Sequence, residues 1–235
     1  MIIELNNFLA QEQIDTLLAV KANSQDVKPG SEESGNLNKD RVTSTIYGEE
    51  REIVEILKPN TFKISNEVTL GAYNYIGTHI AEYKEGTYYG WHVDNPTYQS
   101  GHAPNDYRTT KLSFTLFLNE DYEGGNLEIE TEDGTKCIKM STGDAVFYPT
   151  DYLHRVTPVT KGTRIVVVGW LDCLYKNPRD RFLIKQFGIV NSELQQLYNL
   201  LEKEDYENID LEKFHKIINI ILMFRSDLLK RSLNR

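Results

Sequence analysis

Cysteine is nearly absent. The 235 residues hold 2, Cys137 and Cys173, too few for a disulfide scaffold and in keeping with a reducing compartment. Positive charge is in deficit: 26 Lys and Arg stand against 35 Asp and Glu, a net of 26 − 35 = −9. An acidic surface repels phosphate backbones, so no broad nucleic-acid footprint is expected. Long apolar runs are missing as well. The most apolar stretch, Ile217 to Phe224, is far shorter than the ~20 residues a membrane span requires. The opening residues, Met1 to Asn6, carry neither the basic region nor the apolar core of a signal peptide. These absences predict a cytoplasmic protein with no membrane partner.

What is present is an ordinary globular mixture, 40% apolar and 26% charged, with 14 Tyr against 2 Trp. The length suits one domain with an appendage. Residues 1–22 read as a short strand and a helix, residues 23–40 as a polar loop, and Arg41 to Tyr47 as a strand. Two helices are expected over Glu49–Leu57 and Phe62–Leu70. From Tyr73 onward, short β-branched and aromatic runs are separated by Gly, Asn and Asp: Thr78–Tyr83, Leu112–Leu118, Leu127–Glu130, Lys136–Met140, Ala145–Tyr148, Val156–Val159 and Arg164–Leu171. This spacing predicts a double-sheet barrel or jelly roll. Residues 95–110 interrupt it with a polar stretch that reads as a loop and a candidate lid. Beyond Trp170 the pattern turns helical, with one helix capped by Ser192 and a last one from about Asp210. The expected organisation is a mainly β (α+β) domain over residues 1–175, with its core at 73–172, and a helical extension over 176–235. The apolar face of the last helix must pack on the barrel, on the preceding helix or on a second copy of the chain, so a homodimer is one expectation.

The chemistry concentrates in Trp91-His92-Val93-Asp94. On extended backbone, residues i and i+2 point the same way, so His92 and Asp94 can reach one point in space. Two imidazoles and one carboxylate on one octahedral face leave the opposite face open, as Fe(II) oxygenase chemistry needs. By itself His-x-Asp also fits a surface turn, and a third ligand is required. His154, after a turn and at the start of an apolar strand, suits that position. His79 reads as a packed strand histidine, His102 as a solvated loop residue, and His215 as structural. Arg164 opens the apolar run Ile165–Val168, where a charge needs a partner. A ligand carboxylate can be that partner, and a tight turn over 157–162 would bring Arg164 beside His154 on adjacent strands. Tyr83 could donate to the same carboxylate or be an ordinary strand tyrosine.

The ordered pieces Tyr83-x-x-Gly86-x-x-Tyr89-x-x-His92-x-Asp94, Gly124-Gly125-Asn126-Leu127, Gly143-Asp144, Leu153-His154-Arg155-Val156-Thr157-Pro158-Val159, Gly162-Thr163-Arg164, Trp170 and Arg179-Asp180-Arg181 resemble prolyl 4-hydroxylase-type 2-oxoglutarate oxygenases, and most closely the PKHD-type hydroxylases. The resemblance implies a double-stranded β-helix fold. It implies Fe(II) on His92, Asp94 and His154, with 2-oxoglutarate and O2 as cosubstrates and ascorbate as a further candidate. Arg164 would bind the distal carboxylate of 2-oxoglutarate with support from Tyr83, and Phe117, Leu127 and Trp170 would contribute to the same binding site. The implied reaction is hydroxylation of an unactivated C–H bond, foremost of a prolyl residue in a peptide or protein, with release of succinate and CO2. A small molecule or free amino acid is the alternative substrate, and a non-catalytic binding module the alternative role. Two departures stand out. Animal oxygen-sensing relatives carry Tyr where this chain has Phe117, and PKHD-type chains usually carry Glu where this one has Asn126. Nucleic-acid demethylases of the superfamily usually carry a second Arg where this chain has Trp170, which disfavours them.

Overall fold

The computed structural model describes residues 2–24, 27–29, 41–42, 45–69, 73–99, 107–173, 178–203 and 211–233. The chain divides into two compact units, Met1–Ile64 with Tyr73–Cys173, and Ser65–Ala72 with Leu174–Arg235.

The first unit is mostly β. Its strands are β1 (Ile3–Leu5), β2 (Val27–Pro29), β3 (Arg41–Val42), β4 (Thr45–Tyr47), β5 (Tyr73–Lys84), β6 (Tyr88–His92), β7 (Thr97–Gln99), β8 (Tyr107–Thr109), β9 (Leu112–Phe117), β10 (Glu123–Gly124), β11 (Leu127–Thr131), β12 (Gly134–Ile138), β13 (Ala145–Pro149), β14 (His154–Val156), β15 (Val159–Lys161) and β16 (Thr163–Cys173). A 7-stranded sheet runs β1-β13-β9-β16-β5-β4-β2, and a 5-stranded sheet runs β12-β11-β14-β6-β3. Ala81, Tyr83, Phe117 and Val166 from the larger sheet join Leu127, Ile129, Ile138 and Val156 from the smaller one in a single buried cluster. Two inner faces packed in this way make a jelly roll, and the pairing among the described residues leaves it as two facing sheets, not a closed barrel.

The larger sheet is covered on its other side too, which is why its central strands read as continuous apolar runs. Every residue of β9 is buried. Helices α1 (Gln11–Asn23) and α2 (Glu50–Leu57) contribute Ile14, Leu17, Ile53 and Leu57, all buried. Phe8 meets Phe147 edge-on at 5.7 Å between ring centres. Each such ring or Leu removed from water stabilises the fold by roughly 1.5–3 kcal/mol.

In the second unit, α3 (Pro178–Lys203) and α4 (Leu211–Leu233) pack on each other, with Tyr198 stacked on Phe214 at 6.3 Å. The preceding helix is therefore a partner of the last one. No described helix is long and apolar enough to cross a membrane.

Several elements differ from expectation. Ser192 does not cap a helix. It lies inside α3, which starts at Pro178, a residue preorganised for a first helical turn. Arg41 to Tyr47 is two strands in different sheets, β3 pairing with β6 and β4 with β5. Val27–Pro29, expected in a loop, pairs with β4. Val156–Val159 is not one strand. Pro158 lacks the N–H to continue a ladder, and its carbonyl instead accepts from the Gly125 amide at 3.0 Å. The stretch 95–110 is not wholly loop, because β7 and β8 pair across it. His102 lies outside the described residues.

Candidate active site

The smaller sheet brings two histidines together. β14 and β6 are antiparallel neighbours with His154 opposite His92, and the ring centres are 4.2 Å apart. Each ring turns its Nδ1 to a carbonyl two residues back: His92 to Gly90 O and His154 to Tyr152 O, both at 2.8 Å. A protonated Nδ1 donating there fixes the tautomer and leaves each Nε2 lone pair free for a metal. Asp94 follows β6. Its Oδ1 is 3.5 Å from His92 Nε2 and its Oδ2 is 3.7 Å from His154 Nε2. One ligand atom from each of the three residues lies within 4.8 Å of the others. The intervening Val93 is 43% exposed, as period-2 backbone requires. This donor set fits a borderline divalent cation with part of its sphere open.

The aspartate is held from behind. Ser113 Oγ and Trp170 Nε1 both donate to Asp94 Oδ2, at 2.7 Å and 2.8 Å. Burial works to raise the Asp94 carboxyl, but hydrogen bonding and charge from His92 and His154, together with Ser113, outweigh it and hold the pKa at about 2. Burial pushes the His154 imidazole down, against the opposing pull of Asp94. The outcome is an ionised carboxylate beside a neutral ring, the forms a metal binds.

Trp170 itself depends on a glycine. Gly77 has φ +58°, and a Cβ there would sit 2.6 Å from the indole and 3.0 Å from the Tyr98 ring. No other residue lets β5 and the indole approach so closely.

Away from the three ligand residues, the same cavity reaches Arg164, and its wall includes Tyr83, Leu127, Tyr148, Val156 and Val168. Arg164 is 1% exposed, with its Nε and Nη1 unpartnered. Its guanidinium lies 5.0 Å from the Tyr83 ring centre and 5.8 Å from that of Phe117. Phe117 packs against the arginine and is not itself among the cavity-lining residues. A buried charge without a partner costs several kcal/mol, which an arriving anion would offset. Gly125 makes room for this side chain. It has φ +60°, and a Cβ there would come 3.1 Å from Arg164 Cδ.

Arg164 does not arrive by the expected route. β16 pairs with β5, Arg164 opposite Tyr83, and with β9, whereas β14 belongs to the other sheet. The turn over 157–162 crosses between sheets, and β15 pairs with β10 along the way. Arg164 therefore faces the histidines across the cavity.

The residues His92, Asp94, His154, Arg164, Tyr83, Leu127 and Trp170 line one cavity. His79 lines it as well, its Nδ1 2.7 Å from Gly77 O, and is not in the three-residue cluster. The side chain of His215 lies outside the described ones. Sequence reasoning missed Ser113 and Tyr148, and held Tyr89 only as a motif position without a role. Tyr89 stacks on His92 at 3.7 Å. Tyr148 is buried and meets His154 edge-on at 5.0 Å. Burial keeps its phenol well above the usual range, hence protonated. Tyr89 precedes His92 by an odd number of residues, which masks it on alternating backbone. Ser113 and Tyr148 sit in runs that read simply as strand core.

Residues 78–172 match the family model described as the 2OG-Fe(II) oxygenase superfamily. A PKHD-type hydroxylase of Hyphomonas neptunium is 47% identical over 109 residues, 46% of this chain and 46% of that one. A PKHD-type hydroxylase of Idiomarina loihiensis is 43% identical over 141 residues, 59% of this chain and 60% of that one. The matched segments thus span about half the length of these relatives. Among solved structures, a Pseudomonas putida prolyl-4-hydroxylase superposes with a TM-score of 0.51 at 20% identity, covering 73% of this chain and 92% of the other. The viral collagen prolyl hydroxylase of Paramecium Bursaria Chlorella virus-1, solved as a 2OG complex, gives 0.51 at 22% identity, covering 73% and 96%. At these identities the two structures speak for the fold.

Proposed function

Since residues 78–172 match the 2OG-Fe(II) oxygenase superfamily model, we propose that this chain is an Fe(II)- and 2-oxoglutarate-dependent dioxygenase acting on a prolyl residue of a peptide or protein. The observation that carries the reading is one cavity lined both by the cluster His92, Asp94 and His154 and by buried Arg164, whose Nε and Nη1 have no hydrogen-bond partner. A ligand that chelates a metal at one end and carries a carboxylate at the other satisfies both ends.

In this reading His92 Nε2, His154 Nε2 and an Asp94 oxygen hold the metal. Held there, Fe(II) would let O2 oxidise 2-oxoglutarate to succinate and CO2 and hydroxylate a C–H bond. Arg164, whose Nε and Nη1 are buried without partners, grips the distal carboxylate through charge-assisted hydrogen bonds. Tyr83 offers its ring face to that guanidinium. Leu127, Val156 and Val168 keep water from the bound cosubstrate, which strengthens every polar contact inside. Ser113 and Trp170 hold Asp94 in one orientation. Tyr98, 6.0 Å from Trp170 between ring centres, gives the cavity an aromatic wall suited to a flat apolar ring such as that of proline. The names of the similar hydroxylases support the prolyl assignment. Ascorbate enters as a reductant that keeps the metal ferrous.

The test is succinate formation from 2-oxoglutarate with Fe(II), with and without ascorbate, in the presence of proline-containing peptides and of free amino acids. Peptide-dependent succinate with a hydroxylated proline is the expected result. Replacing His92 with Ala should reduce it to background. Turnover coupled only to a small molecule would redirect the substrate assignment, and full activity of His92→Ala would overturn the metal site.

A further inference from the structure

The helical unit buries only part of its apolar surface. Tyr198 of α3 stacks on Phe214 of α4, and Ile184 and Ile218 are buried. Val190 and Leu197 of α3 are nevertheless 45% exposed each, and on α4 Ile217 is 46%, Ile220 42% and Phe224 62% exposed. Seven residues, 204–210, separate the two helices, and so short a connection makes the pair antiparallel. At about 100° per residue, Val190 and Leu197 lie roughly a quarter turn back from Tyr198. Ile217, Ile220 and Phe224 lie about 60–120° back from Phe214 by the same measure. Stripes displaced in the same sense from the contact between two antiparallel helices fall on one face of the pair. The hairpin thus carries a single exposed apolar face, and the α4 stripe steps by 3 and 4 residues as a packing seam does.

We propose that a second copy of this chain docks on that face, so that two hairpins form an antiparallel four-helix bundle with the tip of each over the base of the other. The size fits. Helices of 26 and 23 residues extend about 39 and 35 Å, and two side by side are about 20 Å wide. The face is therefore on the order of 700 Å² per copy, near the ~800 Å² per partner of a standard interface. The charge fits as well. Toward the tip, residues 202–216 carry Glu202, Glu204, Asp205, Glu207, Asp210 and Glu212 against Lys203, Lys213 and Lys216, a net of 3 − 6 = −3. Toward the base, residues 178–185 and 225–233 carry Arg179, Arg181, Lys185, Arg225, Lys230 and Arg231 against Asp180 and Asp227, a net of 6 − 2 = +4. A two-fold axis across the face sets acid over base at both ends at once. A parallel pairing would set like charge on like, and an anionic membrane would attract the base while repelling the tip.

The test is sedimentation of the full chain. The parent should run as a dimer, twice the 27.1 kDa of one chain. Phe224→Glu, at a position exposed in the single copy, should weaken dimerisation by more than about a hundredfold, because it buries an unpaired charge. Its circular dichroism spectrum should match the parent's. Phe62→Glu alters an aromatic of the other unit that is 77% exposed, and it should leave the dimer intact. Lys230→Glu should weaken the dimer about fivefold at low salt. Lys230→Glu/Glu207→Lys should recover the parent affinity to within about twofold. A monomeric parent would overturn the proposal, and its binding to phosphatidylglycerol vesicles would give the face to a membrane instead. A dimer indifferent to Phe224→Glu, or one lost in Phe62→Glu, would place the interface elsewhere. A dimer tightened by Lys230→Glu would be parallel, which also overturns it.

Discussion

The two ends of the cavity are finished to different degrees. At the metal end the atoms that orient the ligand side chains have protein partners: both Nδ1 atoms face carbonyls and Asp94 Oδ2 takes two donors. At the basic end, Arg164 Nε and Nη1 have none. The first end is built to be rigid before anything binds, and the second is completed by what binds. Loss of a ligand residue should therefore disable the site, whereas loss of the arginine should disable binding while relieving the fold.

The sharpest break of that contrast is His154→Ala. Isothermal titration with Co(II) should show binding at the triad lost, by more than about a hundredfold, since two ligands rarely hold such an ion. Retained tight binding would mean that the three residues do not share one cation. Next comes Arg164→Met, which keeps bulk and removes charge. The affinity for 2-oxoglutarate should fall on the order of a hundredfold, because a bidentate charged contact is removed. The thermal midpoint of the ligand-free chain should stay level or rise, because replacing a buried unpaired charge with an apolar side chain is neutral to stabilising by roughly 1–4 kcal/mol. A marked fall in stability would show that Arg164 is already satisfied without a ligand.

The same contrast explains what could be read from the residues alone. His92 and Asp94 were legible because period-2 backbone makes i and i+2 converge, and the apolar strands of the core were legible from β-branched runs. Arg164 was legible as a charge opening an apolar strand. Its route was not, because a turn between two strands does not reveal whether they share a sheet or face each other across one. Pro158, whose carbonyl accepts from the Gly125 amide, and β15, which pairs with Gly124 and Glu123, decide that here. The residues that hold Asp94 and flank Arg164 were hidden for a different reason. Ser113 and Tyr148 lie opposite one another in β9 and β13, where alternating strands carry polar atoms inward among apolar neighbours. Only the three-dimensional register separates a lining hydroxyl from a packed one. Ser192 was misread because a good capping residue inside a long helix looks the same as one at its start.

A smaller effect sharpens the metal end. Trp170 was expected to contribute to the cosubstrate site, and its indole, lining the same cavity, donates to Asp94 Oδ2. Trp170→Phe keeps an aromatic ring against Tyr98 and removes the donor, leaving Ser113 alone on that oxygen. Outer partners of metal ligands typically contribute 10–100-fold in affinity, and with Ser113 still in place the lower figure applies. Co(II) affinity should fall about tenfold, with 2-oxoglutarate affinity at saturating Co(II) little changed. The reverse pattern would return Trp170 to the cosubstrate side.

The smallest effect on the metal comes from a residue that touches neither ligand. Gly77 has a positive φ, and a methyl group there would press into the indole at 2.6 Å. Gly77→Ala should thus cost stability through strain and overpacking, on the order of 1–3 kcal/mol, read as a drop in thermal midpoint. Its influence on Co(II) can reach the site only by pushing the indole off Asp94 Oδ2, so the loss should not exceed that of Trp170→Phe. In the double variant Gly77→Ala/Trp170→Phe the two losses in metal affinity should not add, because both act through the same hydrogen bond. Full additivity would mean that Gly77 acts on the metal end by another path, such as the carbonyl it presents to His79 Nδ1 at 2.7 Å.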